Sequence, residues 1–152
     1  MKNLLMLCGL PEKAAEEVVS SKLAPEIIDK IKNIHKYNVV IMINKFTPED
    51  KLFLLGKIMQ LYLKNNIKAI IVPFLSLEKY LNMDYSNITH AKIVIVDDIS
   101  GISREQLQML RVLPFIYKDK TFVLVFDDEE DYVCSKLYKS YLLLKVTTLE
   151  VA

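Results

Sequence analysis

The stretch NVVIMINKFTPEDKLFLL, residues 38–55, decides the fold. Its opening, Asn38 to Ile43, is rich in β-branched side chains and apolar without alternation. A strand covered on both faces reads that way, and parallel sheets bury both faces of their strands. Thr47-Pro48-Glu49-Asp50 then changes the period. Thr47 is an N-cap, Pro48 stands at the first helical position, and the two acids meet the positive end of the helix dipole. The helix runs to about Lys64, with Leu52, Leu55, Met59 and Leu63 at core spacing, and Asn65-Asn66 ends it.

Outward from this unit the same alternation recurs. Ile67 to Val72, Ala91 to Val96 and Thr121 to Phe126 read as further strands, and Leu142 to Thr147 as a weaker fifth. Ser76 to Leu81 is a short helix between them, and Ser103 to about Ile116 a longer one capped by Ser103. Ahead of the first strand, Met1 to Leu10 reads as a helix that packs, and Glu12 to Tyr37 as two helices split near Pro25. Strands alternating with helices imply right-handed βαβ crossovers. The expected fold is α/β: a three-layer αβα domain with a mostly parallel five-stranded sheet. It occupies residues 1–152, with N-terminal helices over 1–37 and the sheet core over 38–152.

Composition narrows the function classes. Hydrophobic residues make up 52% and charged residues 26%, a globular balance. A net charge of +1 offers no global attraction for nucleic acid. Only Arg104 and Arg111 are arginines, the residue that bidentate phosphate and base recognition favours, so a nucleic-acid role needs a local patch. Cys8 and Cys134 have no metal-type spacing and read as reduced, structural thiols. The apolar start is too short to span a membrane and shows no export cleavage site, which implies the cytoplasm.

Ligands of open parallel sheets sit at the carboxyl ends of the strands. A phosphate-binding loop after the first strand needs glycines, for close backbone approach, and a lysine beside Ser or Thr. The loop here offers Lys45, Thr47, Glu49, Asp50 and Lys51, and the chain's glycines, Gly9, Gly56 and Gly101, all lie elsewhere. Each like-charge contact between Glu49 or Asp50 and a phosphate would cost on the order of 4 kcal/mol at 4 Å and a dielectric near 20. The alternative keeps Lys45 or Lys51 as a nucleotide contact. The third strand ends in Asp97-Asp98, the form of a Walker B strand, whose acids steady magnesium and polarise water. The plainer reading has these carboxylates accept hydrogen bonds from Ser100, Gly101 or Ser103. The fourth strand runs into Asp127, Asp128, Glu129, Glu130 and Asp131, so the rim is acidic. Either a cation or a solvated helix start near Glu129 explains it. His35 and His90 lack partners at ligand spacing. Tyr132, Tyr138 and Tyr141, interleaved with Lys136 and Lys139, form either a stacking surface or a packed helix face.

In the order of these segments the chain resembles the DnaC/IstB-like branch of AAA+ ATPases, the helicase loaders and transposition helpers, along nearly its whole length. LLMLCGLPEK looks like the leading helix and Gly-Ile-Pro segment of that family. Residues 38–81 match its first strand, phosphate loop, long helix and second strand with the following helix. AKIVIVDDISG resembles its Walker B segment, TFVLVFDD occupies the place of the sensor-1 strand, and SKLYKSYLLLKVTTLEV is similar to the last core segment. The departures are equally specific. Thr47 to Lys51 replaces Gly-Lys-Thr, Asp127 or Asp128 stands where a sensor Asn belongs, and Lys136 and Lys139 replace arginines. No helical lid follows the fifth strand, and only Asp97 and Asp98 carry over cleanly.

The resemblance therefore implies a pseudo-ATPase that binds without hydrolysis, with neither ATP nor magnesium as a working cofactor. Implied partners are a replicative helicase, an initiator or an active ATPase relative, with single-stranded DNA and self-association as further partners and no membrane. One rival is a magnesium-dependent nucleotide or phosphodiester enzyme, in which Asp97, Asp98 and Asp127 converge on a metal. Another is a structural oligomerisation module with a large apolar face.

Overall fold

The computed structural model describes residues 1–22, 25–32, 36–43, 46–82, 91–127, 136–137 and 140–146. The N-terminal helices are α1 (Lys2–Leu7), α2 (Glu12–Ser20) and α3 (Pro25–Ile31). The core follows as β1 (Val39–Ile43), α4 (Pro48–Leu63), β2 (Ala69–Pro73), α5 (Phe74–Leu81), β3 (Ile93–Asp97), α6 (Arg104–Ile116), β4 (Thr121–Asp127) and β5 (Leu142–Val146).

The five strands form one sheet in the order β2-β3-β4-β1-β5, and every pairing is parallel. The apolar run at β1 ends up deep inside it, with Val39 opposite Val123 of β4 on one side and Leu142 of β5 on the other. Asn38 ties these strands together at their start. Its Oδ1 accepts the Phe122 amide at 2.8 Å and its carbonyl accepts the Leu142 amide at 2.8 Å. From β1 the chain crosses β4 and β3 to reach β2 at the sheet edge, then returns stepwise. With right-handed crossovers, the outward step puts α4 on one face and the return steps put α5 and α6 on the other.

The outer elements begin where local chemistry allows. β2 runs through Pro73, which an edge strand tolerates because one side of the ladder is unused. Pro73 serves at once as the N-cap of α5, so that helix starts at Phe74 rather than at Ser76 as expected. The free edge of β2 is itself covered: the Ile71 amide donates to the Cys8 carbonyl at 3.0 Å. The turn after α1 can come this close because Gly9 has φ +110°, and a Cβ there would lie 2.7 Å from the Ile71 oxygen.

The core stripe read from the sequence of α4 is too narrow. Leu55, Met59 and Leu63 are buried, but so are Phe53, Leu54, Ile58 and Tyr62, while Leu52 is half-buried. The reason is tertiary: α4 lies between the sheet and the N-terminal helices. A Cβ on Gly56 would sit 2.5 Å from Val18 of α2 and 2.8 Å from Leu10, so the α2–α4 seam closes on that glycine. Tyr62 of the same helix donates its hydroxyl to the Ile31 carbonyl of α3 at 2.6 Å. On the opposite face Tyr141 is buried, its hydroxyl donating to the Leu110 carbonyl of α6 at 2.7 Å. Burial pushes that phenol's pKa up. Tyr141 therefore belongs to the core rather than to a stacking surface. Tyr132, Tyr138 and Lys139 lie outside the described residues, as do His35, His90 and Cys134.

A closed ion-pair site at the carboxyl ends of the strands

The carboxyl ends of β1 and β3 and the start of α4 meet at one place. Asp97, the last residue of β3, is buried, its side chain only 7% exposed. Asp98 follows with φ +57°, a left-handed conformation that aspartate adopts more readily than most residues, and its side chain is largely solvated. One turn into α4, Lys51 reaches across to both. Its Nζ lies 3.0 Å from Asp97 Oδ1 and 3.2 Å from Asp98 Oδ1. Burial alone pulls the Lys51 ammonium's pKa down. Its hydrogen bonds to Asp97 and then Asp98 outweigh that, and the net shift is upward.

This ion pair separates two clefts. One, of about 190 Å³, is lined by Ile43, Ile99, Ser100 and Phe126; the other, of about 340 Å³, by Gly9, Pro48, Leu52 and Ile71. Lys51, Asp97 and Asp98 line both. The start of α4 is also occupied from within. Of the four positions whose amides have no helical partner, Pro48 lacks an N–H and Asp50 donates its own to Thr47 Oγ1 at 3.1 Å. Glu49 and Asp50 stand exposed in the first turn.

The residues singled out from sequence are thus only partly united. Thr47, Glu49, Asp50 and Lys51 share the helix start, and Lys51 joins it to Asp97 and Asp98. Asp127 closes β4 opposite Ile43, two residues beyond the level that β3 reaches, while Lys45 and Asp128 lie outside the described residues. The expected partners of the acid pair change. Ser103 is committed to the start of α6, where its Oγ accepts the Gln106 amide and Gln106 Oε1 accepts the Ser103 amide. Asp97 and Asp98 are met by Lys51 instead, a contact spanning 47 positions in sequence that no local pattern reveals. Among the described residues no three His, Cys, Asp or Glu side chains come together as a metal site, and no helix is long and apolar enough to cross a membrane.

Reading by strand ends alone also missed a groove at the far half of α4, around Lys57, Leu61 and Lys64. Two lysines seven residues apart with a leucine between them was the available signal.

No protein-family model matches the chain, and no curated protein matches it. Solved structures do. A candidate primosome component from Streptococcus pyogenes serotype M3 is similar at a TM-score of 0.60 and 13% identity, over 94% of both chains. The DnaC helicase loader is similar at 0.51 and 14% identity, over 80% of this chain and 86% of its own. AMPPCP-bound DnaA from Aquifex aeolicus is similar at 0.51 and 15% identity, over 80% of this chain and 44% of its own. Identities this low speak to architecture, and the architecture agrees with the all-parallel sheet. In fold the chain is similar to the DnaC helicase loader, with a core built on one parallel sheet.

Proposed function

We propose that the chain is a non-hydrolysing AAA+-like protein of the cytoplasm that acts by binding, as an accessory factor in DNA replication. The observation that carries this reading is the Lys51 ammonium held by Asp97 and Asp98. In a working site the acids at this strand end serve a magnesium ion, and the helix start supplies free amides to phosphate. Here a tethered cation of the chain takes the carboxylates, a proline and a threonine cap take two of the amide positions, and Glu49 and Asp50 repel a phosphate. These residues do not fit a magnesium–triphosphate, so no step of a hydrolytic reaction is assigned to them. The replication context draws support from the architecture shared with the primosome candidate and the DnaC helicase loader. A replicative helicase, an initiator or an active ATPase relative is the partner class this reading names.

Thermal unfolding with and without millimolar ATP–Mg²⁺, ADP–Mg²⁺ and Mg²⁺ alone tests it. A ligand at 100 times its dissociation constant adds about 2.7 kcal/mol, a shift of several degrees for a chain of this size. No shift and no phosphate release are expected. A rise with nucleotide would overturn the reading, and a rise with Mg²⁺ alone would revive the metal-enzyme rival.

A further inference from the structure

Away from those two clefts, the far half of α4 and the α2–α3 corner bound a larger cavity, a groove of about 390 Å³. Ile28 and Ile31 of α3 and Leu61 of α4 supply its apolar bed, and Lys22, Lys57 and Lys64 stand around it. Ile28 is 38% exposed although aliphatic, and Lys22 and Lys64 are open to solvent. Among the described residues no Asp or Glu lines the groove, and no carboxylate pairs with any of the three lysines. Lys57 is engaged internally: its ammonium donates to the Val18 and Ser21 carbonyls at the end of α2 and to Gln60 Oε1. Lys22 and Lys64 are left facing solvent across an apolar bed.

We infer that this groove is a docking surface for an acidic, amphipathic helical segment of a partner protein. Aliphatic side chains of that segment lie on Pro25, Ile28 and Leu61, and its carboxylates meet Lys22 and Lys64. Charge complementarity selects the sign of the partner, because the groove holds cations with no internal anion. The bed selects its kind: among the described residues it has aliphatic side chains and no aromatic ring or arginine for a nucleobase to stack on, whereas helices pack on such stripes. From Lys57 to Lys64 the helix rises roughly 10 Å, so the segment needs about two turns to span the contact. The inference rests on the groove alone and stands whether or not the strand-end site binds nucleotide.

Fluorescence anisotropy on the full chain tests it with a labelled synthetic peptide of about fourteen residues. The peptide carries leucines at helical spacing flanked by glutamates. Saturable binding is expected, weakening about tenfold in the double variant Lys22→Glu/Lys64→Glu and as salt rises to screen the pairs. Ile28→Ser should weaken it as well, and a peptide with lysines in place of glutamates should prefer the charge-reversed chain. That swap separates recognition from misfolding, and circular dichroism checks the fold of each variant. Three results would overturn the inference: no saturable binding, equal binding of a scrambled peptide of the same composition, or displacement of the peptide by an oligothymidylate.

Discussion

The two halves of α4 treat their lysines in opposite ways. At its start, Lys51 meets Asp97 and Asp98, and the charges are matched within the chain. Farther along, Lys57 caps the carbonyls of α2 while Lys22 and Lys64 face an apolar groove with no acid beside them among the described residues. One helix thus carries a site that is closed on itself and a surface that is not. Matched charge at a strand end removes the vacancy a metal–nucleotide would need, while unmatched charge beside apolar surface leaves binding free energy for a partner.

The largest expected effect wedges apart the α2–α4 seam that both halves share. Gly56→Leu would drive a side chain into Val18 and Leu10, and overpacking of that kind costs about 3 kcal/mol, read from the urea midpoint. It should also open the groove by lifting α2 from α4.

Next comes the closed half. Lys51→Met strands the buried Asp97 carboxylate and should cost about 2 kcal/mol, less than a fully buried pair because Lys51 is partly exposed. Adding Asp97→Asn should recover most of that loss, and the double-mutant cycle measures the coupling. Mg²⁺ should stabilise the Lys51→Met variant but not the parent chain. A parent chain that responds equally to Mg²⁺ would mean that Lys51 is not the resident cation.

The pH dependence sharpens the contrast with a smaller effect. The Lys51 pKa is raised in the fold, so its contribution is fully present below the ordinary lysine value near 10.4 and is lost as pH rises through the folded value. The Lys57 pKa is lowered, by burial first and then by Lys64, so the cost of charging it in the fold disappears as pH climbs toward that same ordinary value. Stability curves should therefore lose a rising limb below about pH 10.4 in Lys57→Met and a falling limb above it in Lys51→Met.

The smallest effect falls on the open half. Lys64→Glu removes a neighbour that repels Lys57 and touches no buried group, so stability should stay within about 0.5 kcal/mol of the parent. A larger loss would show that Lys64 is structural, and the groove would lose its claim as a docking surface.

The sequence by itself determined the elements whose causes are local. The runs at Val39, Ile93 and Phe122 become buried parallel strands because β-branched, uninterrupted apolar segments fit a sheet covered on both faces. Thr47-Pro48 starts α4 and Ser103 starts α6 because an N-cap works through side chains within three residues of it. The acidic strand end at Asp97-Asp98 was legible for the same reason. What answers it was not, since Lys51 reaches Asp97 only after the sheet order places β3 one strand away from β1, across β4. Tyr141 stayed open between a stacking surface and a packed face because its burial depends on α6, and α4 read as a one-sided helix because its outer cover comes from α2 and α3. The groove is likewise a meeting of residues 22 to 31 with residues 57 to 64. Tertiary structure alone decided which charges are matched, because pairing depends on distance in space, and the crossovers set that distance.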